Sequence, residues 1–363
     1  MAKTYRAALV GCSRMGAFID NEVMGSPSAV LPYSHAAGYE ACERTELVAG
    51  ADLRREVLEV FGQRYDVPAA HLYEDYKALI EREKPDILSV ATQPEQRADV
   101  ILFAIEHGVR AIYPEKALCA SMEEAKRIRA AAEKHGVALN MGTNRRWHPG
   151  VDAARGLIQS GEIGKLRTIV LYAAGDLFNT ASHWFDLALC LNEDAPAAWV
   201  QATLPRGDEL LDGDRVTGDP AAQAMIGFTN GVTVHALLSP RSDVEAICER
   251  GAVTAVGGGV SFVLRKAAGE GRRSEWAETP FPEYEPKSST LRLIEDLVRA
   301  LDEGNSQTRG GSAVAYANTE LIFGCIESHR QGGARVPLPL EGSRSYLKRD
   351  VAPKQPKFTA ATA

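Results

Sequence analysis

Short apolar runs and longer amphipathic stretches alternate along the first 141 residues. Residues 6–10, 46–51, 86–91, 109–113 and 137–141 are apolar on nearly consecutive positions, as strands covered on both faces are. Between them, 53–65, 76–83, 95–107 and 121–135 carry apolar residues at helical spacing. Ser121 and Glu124 make a capping box at the start of the last of these, and Gly108 and Gly136 stand where helix ends favour a left-handed residue. Strands alternating with helices of this length require right-handed crossovers between parallel neighbours. The predicted first domain, residues 1–143, is therefore a doubly wound parallel sheet of the Rossmann type.

After Met141 the pattern changes. A helix over 151–160 is followed by strand-like runs at 166–173, 199–204, 224–228 and 232–238. Thr229, Asn230 and Gly231 between the last two predict a tight hairpin, since Asn-Gly takes positive φ readily. Helices return at 290–302 and 313–329. The predicted fold class is α/β overall: the Rossmann domain, then an α+β domain over 144–350 with a large, mostly antiparallel sheet. Residues 351–363 have the small, polar composition of a loose tail. Three Gly-, Pro- and polar-rich stretches, 21–32, 205–220 and 267–289, predict loops long enough to carry function.

Charge narrows the possible partners. The 363 residues carry 48 acidic and 41 basic side chains, a formal charge of −7, with Lys and Arg spread along the chain. Nothing in that distribution makes a footprint for nucleic acid or anionic lipid. Cys12, Cys42, Cys119, Cys190, Cys248 and Cys325 form no C-x-x-C pair, which fits free thiols in a reducing compartment. No apolar run approaches the roughly 18 residues of a spanning helix. A cytoplasmic protein is expected. His71, His107, His135 and His329 lack i, i+4 histidine partners or nearby cysteines, so no metal site is expected.

The first strand runs into Gly11-Cys12-Ser13-Arg14-Met15-Gly16, a dinucleotide fingerprint with Ser13 at the second glycine position. Backbone N–H groups where a helix begins would hold a pyrophosphate, helped by the helix dipole, and the Ser13 hydroxyl can bond the same anion. Asp52 ends the second strand, where a carboxylate accepts from the adenosine ribose hydroxyls and favours NAD. It lies further from Gly16 than usual because of the 21–32 insertion. Arg54 and Arg55 follow and can tolerate a 2′-phosphate, so NAD is preferred to NADP without excluding it. Thr92 and Gln93, after the strand at 86–91, complete the candidate cofactor set with Glu115.

Beyond the glycine loop, the chain carries Glu115-Lys116-Ala117 after the fifth strand and Asn144-Arg145-Arg146-Trp147 at the domain junction. It also carries Asn179-Thr180-Ala181-Ser182-His183-Trp184-Phe185-Asp186. In order and spacing these resemble the motifs of the glucose-fructose oxidoreductase, inositol dehydrogenase and MocA (Gfo/Idh/MocA) family. The resemblance implies NAD(P)-dependent oxidation or reduction of a sugar or polyol hydroxyl, and homodimers or homotetramers formed through the second sheet. It also implies Lys116 and His183 as the catalytic pair, with Asn179 in the place of a third, acidic member. Two residues depart from the family pattern: Ala117 stands where proline is usual, and Asn179 cannot carry a negative charge.

The side chains suit that chemistry. Neutral His183 would take the proton of a secondary hydroxyl while the Lys116 ammonium stabilises the oxygen. With Asn179 four residues before it, His183 has no carboxylate at that position to raise its pKa. Arg145 and Arg146 are candidates for substrate oxygens, one of them pairing instead with a carboxylate, and Trp147 and Trp184 are candidates to stack on a sugar ring. The 21–32 insertion, with Tyr33 and His35 following it, is placed to help wall the substrate pocket. The alternative activity is NAD-dependent glycoside cleavage through transient oxidation, elimination and re-reduction with retained NAD.

Overall fold

The structure is a computed structural model that describes residues 3–172, 175–268, 275–350, 352 and 354–359. Residue 173 of the run at 166–173, residues 269–274 of the expected loop, and 351, 353 and 360–363 of the expected tail lie outside the described residues.

Six strands form the first sheet: β1 (Tyr5–Val10), β2 (Thr45–Ala51), β3 (Leu72–Tyr73), β4 (Ile87–Val90), β5 (Ala111–Pro114) and β6 (Ala138–Leu139). All are paired in parallel in the order β3-β2-β1-β4-β5-β6. The order reverses between β1 and β4, and in doubly wound sheets ligands bind beyond the strand ends at that point. The connecting helices are α1 (Asp20–Val23), α2 (His35–Ala41), α3 (Arg55–Arg64), α4 (Tyr76–Glu83), α5 (Pro94–Glu106) and α6 (Met122–His135). The Ser121 side chain accepts from the Glu124 N–H at the start of α6, and Gly136 takes φ +64° at its end. In the capping box, Glu124 reaches back to the N–H of Ala120 at 2.7 Å. The insertion after β1 is closed at its base by Asp20, whose carboxylate accepts from the Tyr33 and Ser34 N–H groups at 2.7 and 2.9 Å.

The second sheet draws on β7 (Leu166–Leu171), β8 (Ala197–Thr203), β11 (Gln223–Phe228), β12 (Thr233–Ala236), β13 (Val244–Cys248), β14 (Gly251–Val256), β15 (Ser261–Ala268), β16 (Glu275–Thr279) and β17 (Val336–Pro337). Its order is β16-β15-β14-β13-β7-β12-β11-β8-β17, parallel between β7 and β12 and antiparallel at the other pairs. Gly231, at φ +84°, turns the β11–β12 hairpin, and the Asn230 side chain accepts from the Val232 N–H. The 205–220 stretch expected as loop holds β9 (Leu211–Asp212) and β10 (Arg215–Val216), and β10 pairs with both β9 and β18 (Tyr346–Leu347). β16 likewise lies inside the expected 267–289 loop. Helices α7 (Pro149–Gln159), α8 (Ser182–Leu191), α9 (Gly207–Leu210), α10 (Ser289–Glu303) and α11 (Ser312–Arg330) complete the chain.

The chain divides into a unit of Met1–Asn144, Lys287–Tyr316 and Asp350–Ala363 and a unit of Arg145–Pro286 and Ala317–Arg349. This grouping differs from an uninterrupted second domain over 144–350. The reason lies in α10, which buries Leu293, Ile294 and Leu297 and packs on α2, β5 and β6. Asn140, just past β6, donates to the Leu293 carbonyl at 3.1 Å and to Asp296 at 3.0 Å. The expected loose tail is corrected as well: Pro356 is buried and Phe358 packs edge-on against Phe18 at 5.0 Å. All six cysteines are free and buried. Among the described residues no helix is long and apolar enough to cross a membrane, and no cluster of His, Cys, Asp and Glu could hold a metal.

Candidate functional site

In the first unit β1 ends in the glycine turn. Gly11 takes φ +92°, and a Cβ there would meet the backbone of Ala91 at 2.8 Å; at Gly16 it would lie 2.0 Å from the Gly11 carbonyl oxygen. Neither position has room for a side chain, so the backbone can close tightly over the end of the strand. The chain then makes one wide π-type turn, Arg14–Phe18, that includes Met15 and Gly16. Arg14 is held outward by both Glu22 carboxylate oxygens at 2.9 Å. Ser13 is half-buried at the start of the turn, and its side chain makes no capping bond there.

Asp52 follows the end of β2. Its Oδ1 accepts from the Arg54 N–H at 3.1 Å and from Arg54 Nε at 3.3 Å, so it orders the start of α3 and pairs with the neighbouring guanidinium. Thr92 and Gln93 lie between β4 and α5, and Gln93 is exposed. A buried arginine that sequence reading passed over, Arg97, braces this loop by donating to the carbonyls of Thr92 and Ala117. It thereby ties the segment after β4 to the segment after β5.

Glu115 is buried directly after β5. Its Oε1 lies 3.1 Å from His35 Nε2, and its Oε2 accepts the Lys116 N–H at 3.3 Å. His35 Nδ1 lies 2.8 Å from Ser89 Oγ, which lies 2.8 Å from the Tyr39 hydroxyl. One set of directions satisfies every group: Tyr39 donates to Ser89, Ser89 to His35, and His35 Nε2–H to the carboxylate. Burial pushes the Glu115 carboxyl up, but the hydrogen bond from His35 and the charges of Lys116 and Arg97 outweigh it and hold the pKa below its ordinary value. His35 thus does not wall a pocket as expected. It is fully buried, stacks on Tyr113 at 3.7 Å and holds Glu115. Lys116 is half-buried, and its peptide bond to Ala117 is cis.

The second unit carries the other candidates. Of the two candidate arginines, Arg146 is the one that pairs with carboxylates, in a buried ion pair and not as a substrate contact. Its guanidinium, 2% exposed, meets Asp186 at 2.9 Å and both oxygens of Asp194 at 2.8 Å. Burial opposes its charge, but the carboxylates of Asp186 and Asp194 hold the guanidinium pKa well above its ordinary value. Trp147, at 1% exposure, is core packing, not a sugar platform. The Arg145 guanidinium lies 4.4 Å over the ring of Trp184, itself 3% exposed, so that indole stacks on an arginine in place of the expected sugar.

His183 is the second residue of α8 and is half-buried. The Ser182 carbonyl beside it accepts from Asn318 at 2.7 Å. Asn179 is exposed in the π-type turn Leu177–Ala181. Its N–H and that of Phe178 donate to Asp219 at 3.0 and 2.8 Å. Asp219 is a second group that sequence reading passed over. Burial, with Asp176 adding, pushes its pKa up to about 6, against the pull of the two N–H bonds and Arg349. A carboxylate thus meets the backbone of Asn179, forty residues from it in sequence, although position 179 itself carries none.

Residues 5–143 match the Gfo/Idh/MocA model, an oxidoreductase family with an NAD-binding Rossmann fold. A curated relative, D-apiose dehydrogenase of Paraburkholderia graminis, is 28% identical over 162 residues, which is 45% of this chain and 38% of that protein. The match therefore spans well under two thirds of the relative's length. Among solved structures, aldose-aldose oxidoreductase from Caulobacter crescentus, crystallised with glycerol, superposes with a TM-score of 0.74 at 18% identity, covering 93% of this chain and 100% of that one. An inositol dehydrogenase homolog from Azotobacter vinelandii, complexed with NADH and myo-inositol, gives 0.73 at 16% identity over 93% and 98%. At these identities the structural likeness establishes the fold.

Proposed function

We propose, from the match of residues 5–143 to the Gfo/Idh/MocA oxidoreductase model of NAD-binding Rossmann fold, that the chain is an NAD-dependent oxidoreductase of a sugar, sugar derivative or cyclitol. It would move a hydride between a secondary hydroxyl and nicotinamide. The observation that carries this reading is the turn at Gly11 and Gly16, too close-packed for any side chain, at the reversal of strand order with Asp52 ending the neighbouring strand. Those residues fit a dinucleotide: backbone N–H groups for the pyrophosphate, a carboxylate for the ribose hydroxyls. The bound cofactor supplies the hydride acceptor. The relatives named for D-apiose and for inositol support a polyhydroxylated substrate.

In this reading the Lys116 ammonium polarises the reacting oxygen and His183 takes the hydroxyl proton, with the roles reversed in reduction. Glu115, kept ionised by His35, places fixed negative charge one residue from Lys116. The test is a screen of sugars, cyclitols and aryl glycosides with NAD, read by NADH absorbance and by product release. A substrate that yields ketone and NADH in equal amounts supports the proposal. Release of an aglycone with no net NADH replaces it with glycoside cleavage through transient oxidation. Lys116→Ala is expected to keep NADH binding while turnover falls about 100-fold or more.

A further inference from the structure

We propose that the segment 354–358 is a strap that sets cofactor selectivity at the adenosine ribose by holding Arg54 beside Asp52. The proposal rests on the nicotinamide-dinucleotide reading above and goes beyond it. The strap lies in the first unit and is anchored at two places. The Phe358 ring packs edge-on against Phe18 and joins the buried cluster of Leu9, Phe61 and Tyr65. The Lys357 carbonyl accepts from Asn21 Nδ2 at 2.7 Å, and Asn21 Oδ1 in turn accepts from Arg64 at 3.0 Å. Just before these anchors, Lys354 and Gln355 lie beside Arg54, whose Nη1 is 3.4 Å from both the Lys354 carbonyl and the Gln355 side-chain oxygen.

The arginine is therefore held from two sides. Asp52 takes its Nε at 3.3 Å, and the strap takes its Nη1. An arginine just past the second strand is the group that accommodates the 2′-phosphate of NADP, whereas a free carboxylate there suits the 2′-hydroxyl of NAD. Arg54 has the position and the donors to meet a phosphate, but its guanidinium is already engaged. The two strap contacts are long and individually weak. Their effect depends on the Phe358 and Asn21 anchors, which keep the acceptors in place without large cost to the segment. Releasing the strap frees the Nη1 end of the fork, and the gain falls to the phosphorylated cofactor alone.

The test measures NADH and NADPH dissociation constants by fluorescence titration, so it does not depend on turnover. It compares the full chain, a chain ended after Ala352, Phe358→Ala in the full chain, and each of these in an Arg54→Ala background. The full chain is expected to bind NADH more tightly. Shortening the chain, or Phe358→Ala where the shorter chain fails to fold, is expected to shift the NADPH-to-NADH ratio about tenfold or more towards NADPH, the scale of one hydrogen bond to a charged group. In the Arg54→Ala background neither change should move the ratio. An unchanged ratio on release of the strap overturns the proposal, and so does an equal shift with and without Arg54. A full chain that binds neither nucleotide overturns the cofactor reading beneath it instead.

Discussion

Replacing Asp186 with leucine tests how the second unit stabilises its one deeply buried arginine pair described above. Asp186 is 1% and Arg146 2% exposed, and the carboxylate meets the guanidinium at 2.9, 3.1 and 3.2 Å. Removing it leaves a desolvated cation with Asp194, one-third exposed, as its remaining carboxylate among these contacts. Breaking a buried pair by deleting one partner costs about 3–5 kcal/mol, and the surviving bidentate contact to Asp194 places this case near 3. For a unit of this size that lowers the melting temperature by roughly 6–12 °C. The double variant Arg146→Met/Asp186→Leu removes the stranded charge along with its partner and is expected to recover most of that loss. Thermal and urea denaturation of the three proteins decide the matter. A single variant that melts within about 1 °C of the parent would refute the reasoning, since a loss of about 3 kcal/mol predicts several times that shift. A double variant as unstable as the single one would refute it as well.

Two further outcomes follow from buried groups in each unit. His35→Phe keeps a ring against Tyr113 but takes one hydrogen-bond partner each from Ser89 and Glu115, so it is expected to cost about 2–4 kcal/mol and weaken NADH binding; a variant with unchanged melting and affinity would remove His35 from the account. Asp219 holds its proton in the folded chain to about pH 6, above the 3.8 of an ordinary aspartate. The folded state thus binds more protons between those values, and stability falls as pH rises from about 4 to 6, by on the order of 2 kcal/mol. Asp219→Asn should abolish that decline, and melting curves at pH 4, 5 and 6 that keep the same slope in the variant would contradict it.

The sequence made the doubly wound sheet legible because its strands are buried on both faces and its helices carry their own start and stop residues. Ser121, Glu124 and Gly136 mark α6 to within a residue. The glycine turn was legible for a similar reason: Gly11 and Gly16 sit where only backbone fits. What escaped depends on long-range partners that periodicity does not encode. The Arg145-Arg146 pair shows that one arginine seeks a carboxylate, but only the fold selects Arg146 and brings Asp186 and Asp194 to it. The apolar face of α10 is plain in the sequence, yet nothing in it says that this face covers α2, β5 and β6. His35 and Glu115 stand eighty residues apart and meet only because α2 and β5 pack in the same unit. In the last dozen residues one signal was present: Phe358 is the lone aromatic in a polar segment, and it is the residue that anchors the strap.

In the proposed reaction a hydride passes between a substrate carbinol carbon and nicotinamide. The most direct measurement takes the substrate found in the screen, deuterated at that carbon, and reads the mass of the nicotinamide cofactor after a single turnover. The account predicts one deuterium on the reduced ring and, with Lys116→Ala, its slow appearance at undiminished NADH affinity. Product formed while the cofactor stays unlabelled would contradict it.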